Sequence, residues 1–332
     1  MQRPSGELKE EKPASRPCAV VVLGAGRSGT SAITRGVQAI GVELGDDLRP
    51  GGGKNPTGFF EDQELLAINK RLKRLLGIRG DSVSLIEPEQ WRAPAVRALR
   101  EEAVETIRRR FGRYGLWGYK YGRTLRLLPF WLEVYEALDL DVRYVVALRS
   151  PISVARSRAK LEPRRGTQAK SDLEWLVNVV PYFRAVRERP FVVVDYDRVM
   201  EDPVGQLTRM TKALGLQLTD ETRASIQRYA EEFLRSDMRH SRFTAQDLQK
   251  DERVNRLTRE AYGWLDRLAA DEIGPDDAEF WRAWEGIERQ VADLGPILQH
   301  VDQVETDFRH AQRNPFGPLQ LAPLIWRKLR GG

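Results

Sequence analysis

The chain has 332 residues, of which 41% are hydrophobic and 31% charged, with a net charge of +6. This composition suits one large domain or two small ones with a buried core, and no segment approaches the roughly 20 consecutive apolar residues of a membrane span. The single cysteine, Cys18, excludes an internal disulfide framework and a cysteine-based zinc site. One cysteine and three histidines favour a reducing cytoplasm and no metal centre.

The two ends of the sequence differ from its middle. Residues 1–17 lack the apolar segment of a secretory signal, so we expect a disordered polar tail there. Residues 313–332 are rich in Pro and Gly and end in LIWRKLRGG, which leaves open a peripheral membrane contact. We expect the folded domain at 18–312.

Strand and helix patterns alternate along the domain. Four apolar segments predict strands: CAVVVLG (18–24), WGYK (117–120), VRYVVALR (142–149) and FVVVDY (191–196). Helices are predicted at 28–41, 61–77, 94–111, 127–138, from Pro151 onward, at 171–187 and at 203–214. This alternation predicts an α/β fold with a P-loop-like, mostly parallel sheet flanked by helices. We also expect a loop and helical insertion at 46–115 and a helical C-terminal part at 219–312.

The turn after the first strand has the composition of a phosphate-binding loop. Gly24, Gly26 and Gly29 allow a tight turn and close approach of a ligand. Amide groups from Ser28 to Ser31 would point into the turn at a helix N-terminus, where the helix dipole favours an anion. Arg27 adds a positive charge, and the Thr30 and Ser31 hydroxyls can donate to phosphate oxygens.

Two common nucleotide-binding patterns fit this loop only in part. The G-x-G-x-x-G spacing is present, but no second strand with a ribose-binding acid follows within about 20 residues, as dinucleotide-binding folds require. The G-x-x-x-x-G-K-[ST] pattern lacks its Lys. A Gly-rich turn without a ligand is the remaining alternative.

Two further segments supply groups for a second phosphate and a base. Arg149 ends a strand, and Ser157 lies two helical turns later, so the two could bind a second phosphate. Tyr196 ends the last strand, where its ring could meet a base.

With these segments in order, the sequence resembles the sulfotransferases that use 3′-phosphoadenosine-5′-phosphosulfate (PAPS). Their 5′-phosphosulfate loop, (K/R)-S-G-T-(T/S), is matched at 27–31, and their R-x-P-x-x-x-x-x-S motif at 149–157. Tyr196, Asp197, Asp202 and Pro203 match most of their Y-E-D-x-x-x-D-P segment. The resemblance covers about residues 18–243.

Bacterial members that act on carbohydrates and lipids supply three more similar segments. Here they are NPTGFFE (55–61), WGYKYGR (117–123) and MRH (238–240). Where those members have an Asp-Pro pair in the second segment, this chain has Tyr121-Gly122, which puts the role of that segment in doubt.

The resemblance implies roles for individual residues. PAPS would be the sulfuryl donor, held by Arg149, Ser157, Tyr196, Arg239 and the loop residues Gly26, Arg27, Ser28, Gly29, Thr30 and Ser31, without a metal. Arg27 would stabilise the leaving phosphate and Lys120 the transferring sulfuryl group. Glu61 would be the general base, with Asp62 and Glu64 as weaker candidates. Lys120, Glu61 and Arg123 would contact the acceptor, and Arg239 with His240 would belong to a loop over the nucleotide.

Each assignment has a structural alternative. Glu61 could only complement a helix dipole, Arg149 could be an ion-pair partner, Ser157 could face a helix and Tyr196 could be core. Lys120 and Arg123 could be surface charges. Trp264, Trp281 and Trp284 have the spacing of core residues on a helix, and the ETIRRRFGR run (105–113) is typical of a solvated helix face.

The acceptor predicted from the resemblance is a hydroxyl of a sugar or of a glycosylated or lipid small molecule. Two alternatives remain open: a P-loop nucleotide kinase or NTPase, and a catalytically inactive nucleotide-binding module. Nucleic-acid binding is disfavoured because no aromatic platform accompanies the basic runs. The oligomeric state is open.

Overall fold

The computed structural model describes residues 16–52, 58–234 and 243–313. Its strands are β1 (Cys18–Gly24), β2 (Leu116–Lys120), β3 (Asp141–Leu148) and β4 (Phe191–Asp195). The helices up to β4 are α1 (Thr30–Ala39), α2 (Gln63–Leu75), α3 (Pro88–Arg92), α4 (Pro94–Phe111), α5 (Leu128–Ala137), α6 (Pro151–Ala159) and α7 (Gln168–Phe183). After β4 come α8 (Tyr196–Glu201), α9 (Pro203–Ala213), α10 (Asp220–Arg228), α11 (Ala245–Lys250), α12 (Arg256–Ala269), α13 (Ala278–Asp293) and α14 (Gly295–Arg313).

The four strands form one parallel sheet in the order β2-β1-β3-β4. Gly24 at the end of β1 is paired with Ala147 of β3, and Val22 is paired with Lys120 at the end of β2. The chain leaves β1 toward β2 on one side and leaves β3 toward β4 on the other. The carboxyl ends of β1 and β3 therefore form a topological switch point, where open parallel sheets bind ligands.

Helices cover both faces of the sheet because β1 is apolar on both. Ala19, Val21 and Leu23 belong to a large core shared with α2, α4, α5, α7, α12 and α13. Val20 and Val22 belong to a second core shared with α1, α9 and α10. Burial on both sides explains the unbroken apolar runs in the strands.

The fold confirms the predicted α/β class and its parallel sheet. The helices α2, α3 and α4 lie between α1 and β2, as the predicted insertion requires, and the chain after 219 is helical where described. Neither α3 nor α8 was predicted. Tyr196 begins α8 and does not end a strand, because the Asp195 side chain caps that helix.

The three tryptophans belong to the core or pack against it as expected, whereas the basic run at 105–113 is less solvated than expected. Trp281 and Trp284 are buried and Trp264 packs against the same core, as predicted. In the 105–113 run, Arg110 is only 13% exposed because its guanidinium contacts Asp62 at 2.6 Å and Asp46 at 3.0 Å. That face of α4 is therefore partly an internal contact and not wholly solvated.

The described residues contain neither a candidate membrane span nor a candidate metal site. No helix among them is long and apolar enough to cross a membrane, and no group of three or more His, Cys, Asp or Glu side chains within 16–52, 58–234 and 243–313 could hold a metal ion. The predicted tails fall largely outside these ranges.

Candidate active site

The loop between β1 and α1 has three residues with positive φ. They are Gly24 (145°), Arg27 (77°) and Gly29 (75°). An L side chain at position 24 would approach the Ala147 carbonyl, and one at position 29 would overlap the Tyr196 ring. The glycines are therefore required by close packing as well as by backbone conformation, whereas Arg27 adopts the left-handed conformation as a non-glycine residue.

Helix α1 begins without the partners that usually satisfy its first amide groups. Its N-cap residue, Gly29, offers no side-chain acceptor, and its first turn holds no acidic residue. The first four N–H groups of a helix need acceptors from outside the helix. Together with the helix dipole, this N-terminus is suited to an anionic ligand.

Within the same loop, Arg27 contacts a hydroxyl on α6 and lies near a second cation, Arg149. Arg27 donates from Nε to Oγ of Ser157 at 3.0 Å. Desolvation and the nearby positive charge of Arg149 both lower the pKa of Arg27. The structure thus brings Arg27, Ser157 and Arg149 into one positively charged group at the switch point.

Arg149 has an exposed fraction of 8% and is stacked over the Tyr196 ring, with Cζ 4.5 Å from the ring centroid. Among the described residues, its Nε has no hydrogen-bond partner and no acidic residue pairs with it. The following helix, α6, also begins without a side-chain cap, at Ser150. A buried guanidinium with an unsatisfied donor, beside an uncapped helix, fits a second phosphate.

Tyr196 packs against the loop between β1 and α1. The absence of a side chain at Gly29 leaves the space that the Tyr196 ring fills. Arg149 covers the ring as well. These contacts give Tyr196 a positioning role toward the loop, while the predicted contact with a base stays a prediction.

Lys120 connects the loop to a buried carboxylate. Its Nζ donates to Ser31 Oγ at 3.2 Å and to Glu61 Oε1 at 3.1 Å. The other oxygen of Glu61 accepts from Arg49 Nη1 at 3.2 Å. Burial lowers the pKa of Lys120, although Glu61 opposes the shift. Neither Lys120 nor Glu61 is a surface charge, with exposed fractions of 3% and 5%.

The segment before α2 holds Glu61 in place. Leu48 pairs with Asp62 in an antiparallel bridge, and the Arg49 amide donates to the Glu61 carbonyl at 2.7 Å. Asp62 is the N-cap of α2 and also binds Arg110. Its carboxylate is therefore engaged in structure, whereas Glu64 pairs with Arg109 on the surface. Of the three acids, Glu61 is the one that contacts the loop-side cation.

Sequence reasoning missed Arg49 and Arg158. Arg49 lies in a Gly- and Pro-rich loop without periodicity, so only the fold shows that it contacts Glu61. Arg158 is buried and donates to the Ser171 carbonyl at 3.0 Å and to the Gly26 carbonyl at 3.5 Å. Its partner Glu174, 3.4 Å away, is buried on α7, and a buried acid needing a cation is the signal that could have found it.

The remaining predicted residues either have other partners in the fold or lie outside the described residues. Ser28 is fully buried and its amide donates to the Ala25 carbonyl at 3.2 Å. Arg123 donates to the Gly80 carbonyl, toward the turn after α2. Arg239 and His240 lie outside the described residues, as does the 55–57 part of the NPTGFFE segment.

Comparisons with known proteins gave matches to solved structures alone. No protein-family model and no curated protein sequence matches the chain. The chain is similar to the sulfotransferase STF1 of Mycobacterium tuberculosis, at 17% identity over 68% of this chain and 75% of that chain, with a TM-score of 0.40.

Two further similar structures have low scores as well. The sulfotransferase domain of the Synechococcus PCC 7002 olefin synthase is 17% identical over 85% of this chain and 97% of that chain, with a TM-score of 0.39. A retinol dehydratase in complex with androsterone and the inactive cofactor PAP is 18% identical over 84% of this chain and 81% of that chain, with a TM-score of 0.33. Two of these three structures bear the family name suggested by the sequence motifs. At such similarity, we base the function on the geometry of the site.

Proposed function

We propose that the protein is a sulfotransferase that moves a sulfuryl group from PAPS to a hydroxyl of a small molecule. The observation that carries the proposal is the position of Lys120, whose ammonium contacts both Ser31 of the phosphate loop and the buried Glu61. This contact puts a cation and a carboxylate beside the uncapped N-terminus of α1. A donor anion and an acceptor hydroxyl could meet there.

The charges at the switch point suit a donor with two anionic groups. The 5′-phosphosulfate would lie at the N-terminus of α1 beside Arg27, and the 3′-phosphate beside Arg149 and the N-terminus of α6. Among the described residues, Arg27, Arg49, Lys120 and Arg149 outnumber the acid that pairs with them, Glu61. An anionic ligand would offset this excess of positive charge.

The bound donor supplies the sulfuryl group: the acceptor oxygen forms a new bond to sulfur, the bridging S–O bond breaks, and its electron pair stays on the departing 5′-phosphate. Arg27 would stabilise the charge on the leaving phosphate, and Lys120 the charge on the transferring oxygens. The Glu61 carboxylate would take the proton from the acceptor hydroxyl. Arg49 would fix the carboxylate through its second oxygen.

The same contacts weigh against an NTPase. In G-x-x-x-x-G-K-[ST] loops the final hydroxyl binds Mg²⁺, and Ser31 occupies that position relative to Gly24 and Gly29. Here the Ser31 hydroxyl contacts the Lys120 ammonium. A divalent cation at this hydroxyl would therefore face a buried positive charge.

The finer assignments rest on the sequence resemblance. We infer from it that the acceptor hydroxyl belongs to a sugar or to a glycosylated or lipid small molecule. Arg239 and His240 would then close over the nucleotide. From the single cysteine we infer separately that the protein acts in the cytoplasm.

Calorimetric titration with 3′-phosphoadenosine-5′-phosphate (PAP), AMP and ATP tests the donor. We expect PAP to bind at least about tenfold more tightly than AMP, which corresponds to about 1.4 kcal/mol, and Arg149→Ala to abolish this preference. The exposed Arg223→Ala variant is the matched control. Arg149→Lys keeps the positive charge but loses the planar guanidinium, so it separates the effect of charge from that of stacked, bidentate geometry.

Transfer from radiolabelled PAPS to a panel of hydroxyl compounds then tests the reaction, with Glu61→Gln expected to lower kcat by about 10²–10⁴. Equal binding of ATP and PAP, together with ATP hydrolysis, would favour the kinase or NTPase alternative. Tight PAP binding with no transfer to any compound would favour an inactive nucleotide-binding module.

A further inference from the structure

A second group of cations surrounds a cavity at the C-terminal end of α2. The cavity has a volume of about 350 Å³ and is lined by Lys70, Lys73, Arg74, Gly77, Ile78 and Arg79. Four of its six lining residues are cations and none is an acid. A cavity of this volume can hold a small organic anion.

The acids that could neutralise these cations are directed elsewhere. Arg79 has Asp81 at 3.5 Å, but Asp81 also binds Arg309 of α14 at 2.5 Å. Within the described ranges, Lys70, Lys73 and Arg74 have no ion-pair partner. The cavity therefore keeps a net positive charge in the folded protein.

Lys73 differs from an ordinary solvated lysine. It is half-buried, and desolvation lowers its pKa to about 8, with further contributions from Arg123 and Lys70. A face of solvated charges, as Lys70 and Arg74 would form alone, does not require a desolvated ammonium among like charges. Such a group is costly unless an anion accompanies it.

The Tyr121 ring lies near Lys73 and within range of the Glu61 charge. The Lys73 Nζ lies 5.9 Å from the centroid of the Tyr121 ring. Burial raises the pKa of the Tyr121 phenol, and the charges of Arg123, Glu61 and Arg49 all act on it. Tyr121 directly follows Lys120, which pairs with Glu61, so the cavity and the proposed active site share this residue as a neighbour.

We propose that this cavity, formed by Lys70, Lys73, Arg74 and Arg79, binds a carboxylate, sulfate or phosphate group carried by the acceptor. The acceptor would then be a hydroxyl compound that already bears an anionic substituent. The identification of the bound molecule as the acceptor rests on the proposed function, whereas the anion site itself does not. Tyr121, at the position where the resembling enzymes have Asp, removes a negative charge that would repel such a substrate.

Site-resolved acylation of lysines near pH 8, followed by mass spectrometry, tests the anion site in the full chain. The probes are glucuronate, a glucose sulfate ester, a glucose phosphate ester, neutral glucose, and inorganic sulfate and phosphate. We expect the three anionic sugars to protect Lys73 several-fold and glucose to leave it reactive. Lys212, exposed on α9, is the internal control and should react equally in all samples.

Calorimetric affinity for the glucose phosphate ester gives a second measurement. Lys73→Met should lower this affinity at least about tenfold, about 1.4 kcal/mol, and Lys212→Met should leave it unchanged. Protection by neutral glucose equal to that of the anionic sugars, or no protection at all, would overturn the anion site. Equal protection by inorganic sulfate or phosphate and by the esters would overturn its assignment to the acceptor. The PAP titration of the wild-type protein reports separately on the donor, so a failure of the proposed function is distinguishable from a failure of this site.

Discussion

Lys120 Nζ lies 3.1 Å from Glu61 Oε1, and the two side chains form a buried ion pair at the carboxyl edge of the sheet. Arg49 contacts the other Glu61 oxygen, with a side chain that is 43% exposed. One carboxylate therefore balances two cations of unequal burial. Removing the acid is more damaging than removing either cation, because it leaves the buried ammonium unpaired.

The first prediction compares the two halves of this pair. Glu61→Gln should lower the free energy of unfolding by about 3 kcal/mol, since breaking a buried pair leaves an uncompensated charge. Lys120→Met should lower the free energy of unfolding by a smaller amount, because Arg49 still pairs with Glu61. The loss in the double variant should be smaller than the sum of the two single losses. Urea denaturation of the four proteins measures these differences.

The control for that cycle is the half-exposed pair Arg71–Glu102 on the surface. Arg71→Met should change stability by less than about 1 kcal/mol. Strict additivity of the Glu61 and Lys120 changes would contradict a direct interaction between them.

The second prediction concerns Gly29. Gly29→Ala should lower the free energy of unfolding by about 2 kcal/mol or more, since the left-handed conformation costs an L residue roughly 1–2 kcal/mol and the methyl group would overlap Tyr196. Affinity for PAP should fall as well, because the loop must shift. Thermal denaturation and calorimetry measure the two effects.

A matched glycine tests whether the position matters. Gly263 lies inside α12 with open space around its Cα. Gly263→Ala should stabilise the protein by up to about 1 kcal/mol through helix propensity. Similar behaviour of the two variants would rule out a specific role for Gly29.

The third prediction concerns Arg158, which supports the loop through Gly26. Arg158→Met should lower the free energy of unfolding by about 3 kcal/mol, because Glu174 keeps only the partly exposed Arg165 as a partner and the Ser171 carbonyl loses a buried donor. PAP affinity should fall with it. The exposed Arg108→Met, which removes a pair within α4, should be nearly neutral, and a neutral Arg158→Met would show that the loop holds its shape without this contact.

The fourth prediction is a pH dependence of stability. Burial raises the pKa of Asp195 from 3.8 to about 7, although the Arg198 amide donates to it. In the unfolded chain the carboxyl titrates near its ordinary value, so the native state binds more protons between about pH 4 and pH 7. The contribution of Asp195 is therefore fully present below about pH 4 and is lost as the pH rises through 7.

Asp195→Asn isolates this contribution, because Asn also caps helices well and does not titrate. The free energy of unfolding of the variant relative to the wild type should rise between about pH 4 and pH 7 and then level off. The total rise should be about 1.4 kcal/mol for each unit by which the pKa of Asp195 is shifted. Urea denaturation at several pH values gives the difference. A difference independent of pH would show that Asp195 titrates normally in the native state.

The sequence was sufficient for the sheet and the loop but not for the contacts across the site. Buried strands and the Gly24–Gly29 turn follow local rules of burial and backbone conformation, so their positions could be predicted within a few residues. The Arg49–Glu61 contact depends on the Leu48–Asp62 bridge, which joins segments through a loop with no periodic pattern. Likewise, Arg156 and Arg158 are equivalent in the sequence, and only packing against α7 buries the second.

Arg27 has a left-handed backbone at φ 77° while carrying a side chain that binds Ser157. Such a conformation costs a non-glycine residue about 1–3 kcal/mol. Laboratory selection for heat resistance alone should therefore favour Arg27→Gly, which relaxes the turn and deletes the cation. A library screened for melting temperature would lose the residue that we assign to the leaving phosphate, and only a screen that includes PAP would keep it.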